Sequence, residues 1–220
     1  WNSKSRLVLV GIQGKSIESE NAPPSNLVFL IDVSGSMSGE DRLPLLKSAF
    51  KMLVDSLRPV DRIAMVVYAG AAGLVLPSTS GDKKAEILEA LDKLEAGGST
   101  AGGAGIQLAY KVATDNFVKG GNNRVILATD GDFNVGVSDN TQLVKIIEEK
   151  RKSGVFLSVL GFGMGNYKND RMEKLADNGN GNYAYIDSLR EARKVLVSEM
   201  AGTLFRSEEH TSELQSPNTI

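Results

Sequence analysis

Four apolar runs rich in Val, Ile and Leu, at residues 27–31, 62–68, 124–129 and 156–161, alternate with longer segments of helical period. No other feature restricts the fold as much. Runs too apolar to leave one face in water belong to strands buried on both faces, and the intervening helices supply the cover. The pattern predicts an α/β fold with a Rossmann-like, doubly wound, mostly parallel six-stranded sheet and helices on both faces. Residues 183–186 add another parallel strand. Residues 74–77 follow the 62–68 run across the turn AGAAG, which is too short for a parallel crossover, so they are expected as an antiparallel edge strand.

Helices are expected at 43–57, 83–94, 103–117, 141–152, 170–177 and 189–204. In the first, Leu46, Phe50, Leu53, Val54 and Leu57 recur at helical spacing and should face the sheet. Asp82 and Asp170 are read as N-caps or first-turn acids, and Gly154 as a helix stop. Residues 1–25 read as the end of a preceding module and a linker, with a strand at 6–11 and a polar stretch broken by Pro23 and Pro24. The main domain is expected over 26–205.

A chain of 220 residues with 41% apolar content can bury a substantial core. Its 25 basic and 27 acidic side chains give no nucleic-acid footprint and no polybasic membrane patch. The absence of cysteine removes disulfides, thiolate nucleophiles and thiolate metal sites. No apolar stretch approaches the ~20 residues of a membrane span. Residues 206–216, RSEEHTSELQS, resemble the in-frame translation of a sequencing-library adapter, so 206–220 is set apart from the fold. Setting it aside removes Arg206 against Glu208, Glu209 and Glu213, and acid and base then balance. The only histidine, His210, goes with it, which leaves no Ser-His general base.

Three polar clusters follow strand ends or lead into helices. Asp32, Ser34 and Ser36 follow the first strand in DVSGS, and Asp130 follows the 124–129 strand in ATDG. Between them GGSTAGGAG, residues 97–105, carries Ser99 and Thr100 on a loop whose glycines permit close backbone approach. In a doubly wound sheet, ligands gather at the carboxyl ends of parallel strands. Two carboxylates and several hydroxyls, with no His or Cys, form a hard-oxygen donor set suited to Mg²⁺, Mn²⁺ or Ca²⁺ rather than zinc or copper.

DVSGS, the Thr of GGST and the Asp of ATDG resemble, in order, the metal-ion-dependent adhesion site of von Willebrand factor type A domains. The resemblance covers about residues 26–205. It extends through GGSTAGGAGIQLAY, TDGDFNVG and GNGNYAYID to a bacterial branch called YfbK-like. It implies that Ser34, Ser36 and Thr100 offer hydroxyl oxygens to Mg²⁺, with Mn²⁺ or Ca²⁺ as alternatives. Asp32 and Asp130 would neutralise the ion largely through bound water. It implies a partner protein that completes the shell with a Glu or Asp, a last helix that shifts on occupancy, and a lean toward the bacterial cell envelope or secretion, although related domains also work inside cells beside ATPases.

Blander readings stand beside this one. Asp32 can cap a turn, and the serines can satisfy loop backbone. Asp132 and Asn134 extend a D-x-D-x-N pattern, but Val135 and Thr141 stand where a calcium loop needs Gly and Glu, so both are read as turn residues. GFGMG at 161–165 fails the dinucleotide pattern at Asn166. A phosphoryl-transfer or hydrolytic enzyme using Asp32 as nucleophile is the alternative of a different class. Ser34 stands where such a phosphatase places its second acid, and no nucleotide-binding G-x-x-x-x-G-K-[ST] loop is present.

Overall fold

The computed structural model describes residues 22–69, 71–98, 102–131, 140–163 and 169–198. The expected strand at 6–11, the helix end at 199–204 and the tail 206–220 lie outside these. The strands are β1 (Ser25–Asp32), β2 (Arg62–Tyr68), β3 (Ala72–Ser80), β4 (Asn122–Thr129), β5 (Phe156–Phe162) and β6 (Tyr183–Ile186). The helices are α1 (Leu43–Ser56), α2 (Lys84–Asp92), α3 (Gly102–Asp115), α4 (Asn140–Lys152), α5 (Asn169–Asn178) and α6 (Leu189–Arg193). A 3-10 turn, Gly35–Ser38, follows β1, and a π-helical turn, Lys194–Ser198, continues α6.

The sheet runs β3-β2-β1-β4-β5-β6, parallel except for the β2–β3 pair, as the alternation of runs and helices predicts. Chain order moves outward from β1 to β3, then resumes on the other side of β1 with β4. The reversal therefore falls between β1 and β4, and their carboxyl ends flank the crevice where such sheets bind ligands.

Every residue of β1 and β4 is buried, which explains their unbroken apolar reading. Side chains of alternate parity feed two cores. Leu27, Phe29 and Ile31 meet Leu46, Phe50 and Leu53 of α1 together with residues of α2 and α6. The Phe29 and Phe50 rings lie 4.2 Å apart in a tilted arrangement. Val28 and Leu30 meet Ile106, Ala109 and Tyr110 of α3, in a core shared with α4 and α5.

Helix ends follow the expectations in part. Gly154, at φ +81°, closes α4 with its N–H on the Arg151 carbonyl, and Asp170 sits in the first turn of α5. Asp82 instead precedes the N-cap position, which Lys83 fills, and its carboxylate pairs with the Ser80 side chain. The helix expected from 189 changes to π geometry after Arg193. Its start is fixed by Ser188, whose Oγ accepts the Glu191 N–H at 3.3 Å.

A polar clamp ties the amino ends of β1 and β2 together. Asp61 accepts the Ser25 amide at 2.9 Å, the Arg58 amide at 2.9 Å, and Arg58 guanidinium bonds at 2.8 and 2.9 Å. The same guanidinium reaches the Ala22 and Pro23 carbonyls. Burial alone would raise the Asp61 carboxyl, but the hydrogen bonds from Arg58 and Ser25 outweigh it and hold the group below the ordinary aspartate value. A carboxyl depressed in the folded state contributes stability above its unfolded pKa and loses it as pH falls through the folded one. Asp61→Asn is expected to cost about 2–3 kcal/mol at neutral pH by urea denaturation. The difference from the parent should shrink on acidification through the carboxylate range.

Candidate functional site

Asp32 is the last residue of β1, and its side chain is wholly buried. Oδ1 accepts the Ser34 amide at 2.9 Å, closing the turn out of the strand. Oδ2 accepts the Tyr68 hydroxyl and the Thr129 hydroxyl, each at 3.0 Å. Those donors end the two flanking strands. Parallel register sets Asp32 opposite Tyr68, and the β1–β4 register brings Thr129 to the same level. The Thr129 oxygen accepts the Gly131 amide at 3.1 Å, and Gly131 adopts φ +95° in the turn beyond Asp130.

Burial pushes the Asp32 carboxyl up, against hydrogen bonds from Ser34, Tyr68 and Thr129 that lower it. Burial and the neighbouring Asp32 charge push the Tyr68 hydroxyl well above its ordinary value, so it remains a donor to Asp32. Gly105 of α3 makes room for this tyrosine: a Cβ there would meet Tyr68 Cβ at 2.9 Å and Leu30 Cδ1 at 3.1 Å.

After Asp32 the chain stays extended through Ser34, at φ −64° and ψ 164°, then enters the 3-10 turn. Met37, fully buried in the α1 core, anchors that turn. The Ser34 and Ser36 hydroxyl oxygens consequently meet at 3.0 Å. The Gly35 amide bonds the Gly98 carbonyl at 3.1 Å and the Gly97 amide bonds the Val33 carbonyl at 2.7 Å, so the glycine loop runs beside the serines. Thr100 and Ser99 lie outside the described residues, as do Asp132 and Asn134. Asp130, one residue beyond β4, is nearly buried and lies 3.5 Å from Nη1 of Arg42. That nitrogen also donates to the Ser36 carbonyl.

The structure thus brings Asp32, Ser34, Ser36 and Asp130 to one end of the sheet, joined by Tyr68, Thr129 and Arg42. Sequence reasoning missed these last three. Tyr68 and Thr129 carried a signal only in that each ends an apolar run; their pairing with β1 comes from the sheet order. Arg42 carried none, because it lies just before α1 with no motif around it.

The donor set suits a small divalent ion. Mg²⁺–oxygen bonds of about 2.0–2.1 Å put neighbouring oxygens of an octahedron about 2.9 Å apart, and the serine hydroxyls stand at 3.0 Å. Beside them sits a buried carboxylate whose charge is only partly offset here by neutral donors.

A doubly wound sheet with a polar cluster at its switch point defines the class as a Rossmann-like α/β domain. Residues 26–198 match the family model of the von Willebrand factor type A domain, and the chain belongs to that family. It is 55% identical over 200 residues to the uncharacterized protein YfbK of Escherichia coli K12, covering 91% of this chain and 35% of that protein. The chain therefore spans about a third of that relative's length. A von Willebrand factor type A structure from Catenulispora acidiphila superposes with a TM-score of 0.69 at 23% identity, over 83% of this chain and 43% of that one. An aerotolerance-related membrane protein from Bacteroides fragilis superposes at 0.66 with 25% identity, over 81% of this chain and 99% of that one. Domains of this family serve as protein-interaction and adhesion modules. No helix among the described residues is long and apolar enough to cross a membrane.

A raised carboxyl contributes stability below its unfolded pKa and loses it as pH rises through the folded one. In chelator at neutral pH, Asp32→Asn should therefore unfold at higher urea than the parent. The gap should close as pH falls toward the ordinary aspartate value of 3.8.

Proposed function

We propose that this domain binds a divalent cation, Mg²⁺ by preference with Mn²⁺ or Ca²⁺ as substitutes, and uses it to hold an acidic side chain of a partner protein. The observation that carries the reading is the Ser34–Ser36 hydroxyl pair at 3.0 Å beside the buried Asp32. On this reading Ser34, Ser36 and Thr100 hold the ion by their hydroxyls, Thr100 by family resemblance. Asp32 and Asp130 balance its charge through water.

The ion would supply an electrophilic centre with an exchangeable water position. The protein's own residues do the rest. Tyr68 and Thr129 occupy Asp32 Oδ2, which fixes the carboxylate and limits it to indirect neutralisation. Neutral hydroxyl ligands quench the ion little, so a partner's Glu or Asp has charge left to meet. Ser34 is buried, but Ser36 is half-buried and Gly35 and Ser38 are exposed, so a partner would approach the turn from the Ser36 side.

The buried setting of Asp32 also weighs against the enzyme alternative. A nucleophilic carboxylate needs an oxygen that a substrate can approach, whereas both oxygens of Asp32 accept protein hydrogen bonds.

Calorimetric titration of Mg²⁺, Mn²⁺ and Ca²⁺ into the chain, beside Asp32→Ala and Ser34→Ala, tests the reading. Binding by the parent and a loss of at least about tenfold in either variant is expected. No binding by the parent, or equal binding by all three proteins, would remove the site. Metal-dependent phosphatase turnover that vanishes in Asp32→Ala would favour the enzyme instead.

A further inference from the structure

We propose that Arg42 is a built-in cation that holds the acidic side of the site in the metal-free protein and is displaced by the incoming divalent ion, so that it sets the site's affinity threshold. The inference rests on the cation-binding reading above. It concerns a residue for which the adhesion-site motif has no place.

Arg42 precedes α1 with φ −125° and ψ −108°, outside both helical and extended backbone, and its N–H bonds the Gly39 carbonyl at 3.0 Å. This bend turns the side chain back over the strand ends. One nitrogen, Nη1, donates to the Ser36 carbonyl and stands 3.5 Å from Asp130 Oδ2. It therefore joins the serine turn after β1 to the acid after β4, the two segments that would have to share a metal.

The guanidinium rests in a prepared seat. Gly163, at the end of β5, has φ +87°, and a Cβ there would lie 2.6 Å from Arg42 Nε. The Gly163 amide bonds the Asp41 carbonyl at 3.1 Å, and its carbonyl accepts the Tyr185 hydroxyl. Nε itself is buried without a hydrogen-bond partner among the described residues. The side chain is thus held by its packing against Gly163 and by Nη1, while Nε adds no bond that would resist its release.

The charge arithmetic favours exchange. The pair with Asp130 is long, and the Arg42 side chain is 31% exposed, which puts it among weak ion pairs. A divalent ion carries twice the charge, competes for the same carboxylate and repels the guanidinium. Removing the positive charge should therefore tighten metal binding.

The test is titration of Mn²⁺ into the chelator-stripped full chain and into Arg42→Gln and Arg42→Lys. Glutamine removes the positive charge and, two bonds shorter than arginine, also gives up the bond to the Ser36 carbonyl, whereas Arg42→Lys keeps the charge and serves as the control. Arg42→Gln is expected to bind Mn²⁺ roughly three- to tenfold more tightly, by an amount that shrinks in high salt. Arg42→Lys should stay close to the parent. Equal or weaker binding by Arg42→Gln overturns the proposal, weaker binding because it would make Arg42 a support that aims Asp130 at the metal. A metal-free measurement separates the two ideas: a urea-unfolding double-mutant cycle of Arg42→Gln and Asp130→Asn in chelator. Measurable coupling is expected, and none overturns the Arg42 proposal while leaving the cation site standing. Coupling without Mn²⁺ binding by any variant would sink the proposed function and the displacement with it.

Discussion

The carboxylate of Asp32, buried at the end of the central strand, is the constraint on which the site end of the molecule depends. An ionised group in that position costs several kcal/mol unless donors surround it. The donors come from both neighbouring strands and from the turn that follows. Strand register and charge compensation are thereby one problem. A slip of β2 or β4 by a single residue would turn Tyr68 or Thr129 to the opposite face and leave the carboxylate unmet.

The same strand is held at its other end. The Ser25 amide is fixed by Asp61, and the clamp from Arg58 runs on to the segment before β1. Between the two anchors every β1 residue is buried. The serine turn therefore projects from a strand with little freedom to shift, and Met37 pins its far side in the α1 core. Such support lets two hydroxyls stand close together before any ligand arrives.

Much of this was legible in the residue pattern. Runs buried on both faces are hard to mistake, and 62–68 and 183–186 coincide with β2 and β6 as observed. Polar residues placed directly after two such runs had to share the crevice. What escaped the pattern depends on neighbours rather than on local sequence. β3 extends to Ala72–Ser80 because pairing with β2 recruits residues of low strand propensity. Asp82 looked like a cap but gives its carboxylate to Ser80. Tyr68 reads as ordinary strand aromatic until its register with Asp32 is known, and Arg42 becomes meaningful only once β4 and β5 are beside it.

Both flanks of the sheet bear on how such a domain meets other proteins. β3 carries Pro77 and irregular register against β2, and β6 is only four residues long. Short, proline-bearing or distorted margins resist the addition of a foreign strand. Exposed Leu74 and Val75 on β3 are thus carried on a margin that discourages backbone pairing. A module whose work is association is in this way guarded against indiscriminate β-sheet extension. On the proposed reading, recognition falls to a small polar point at one end, which can be saturated, competed for and released.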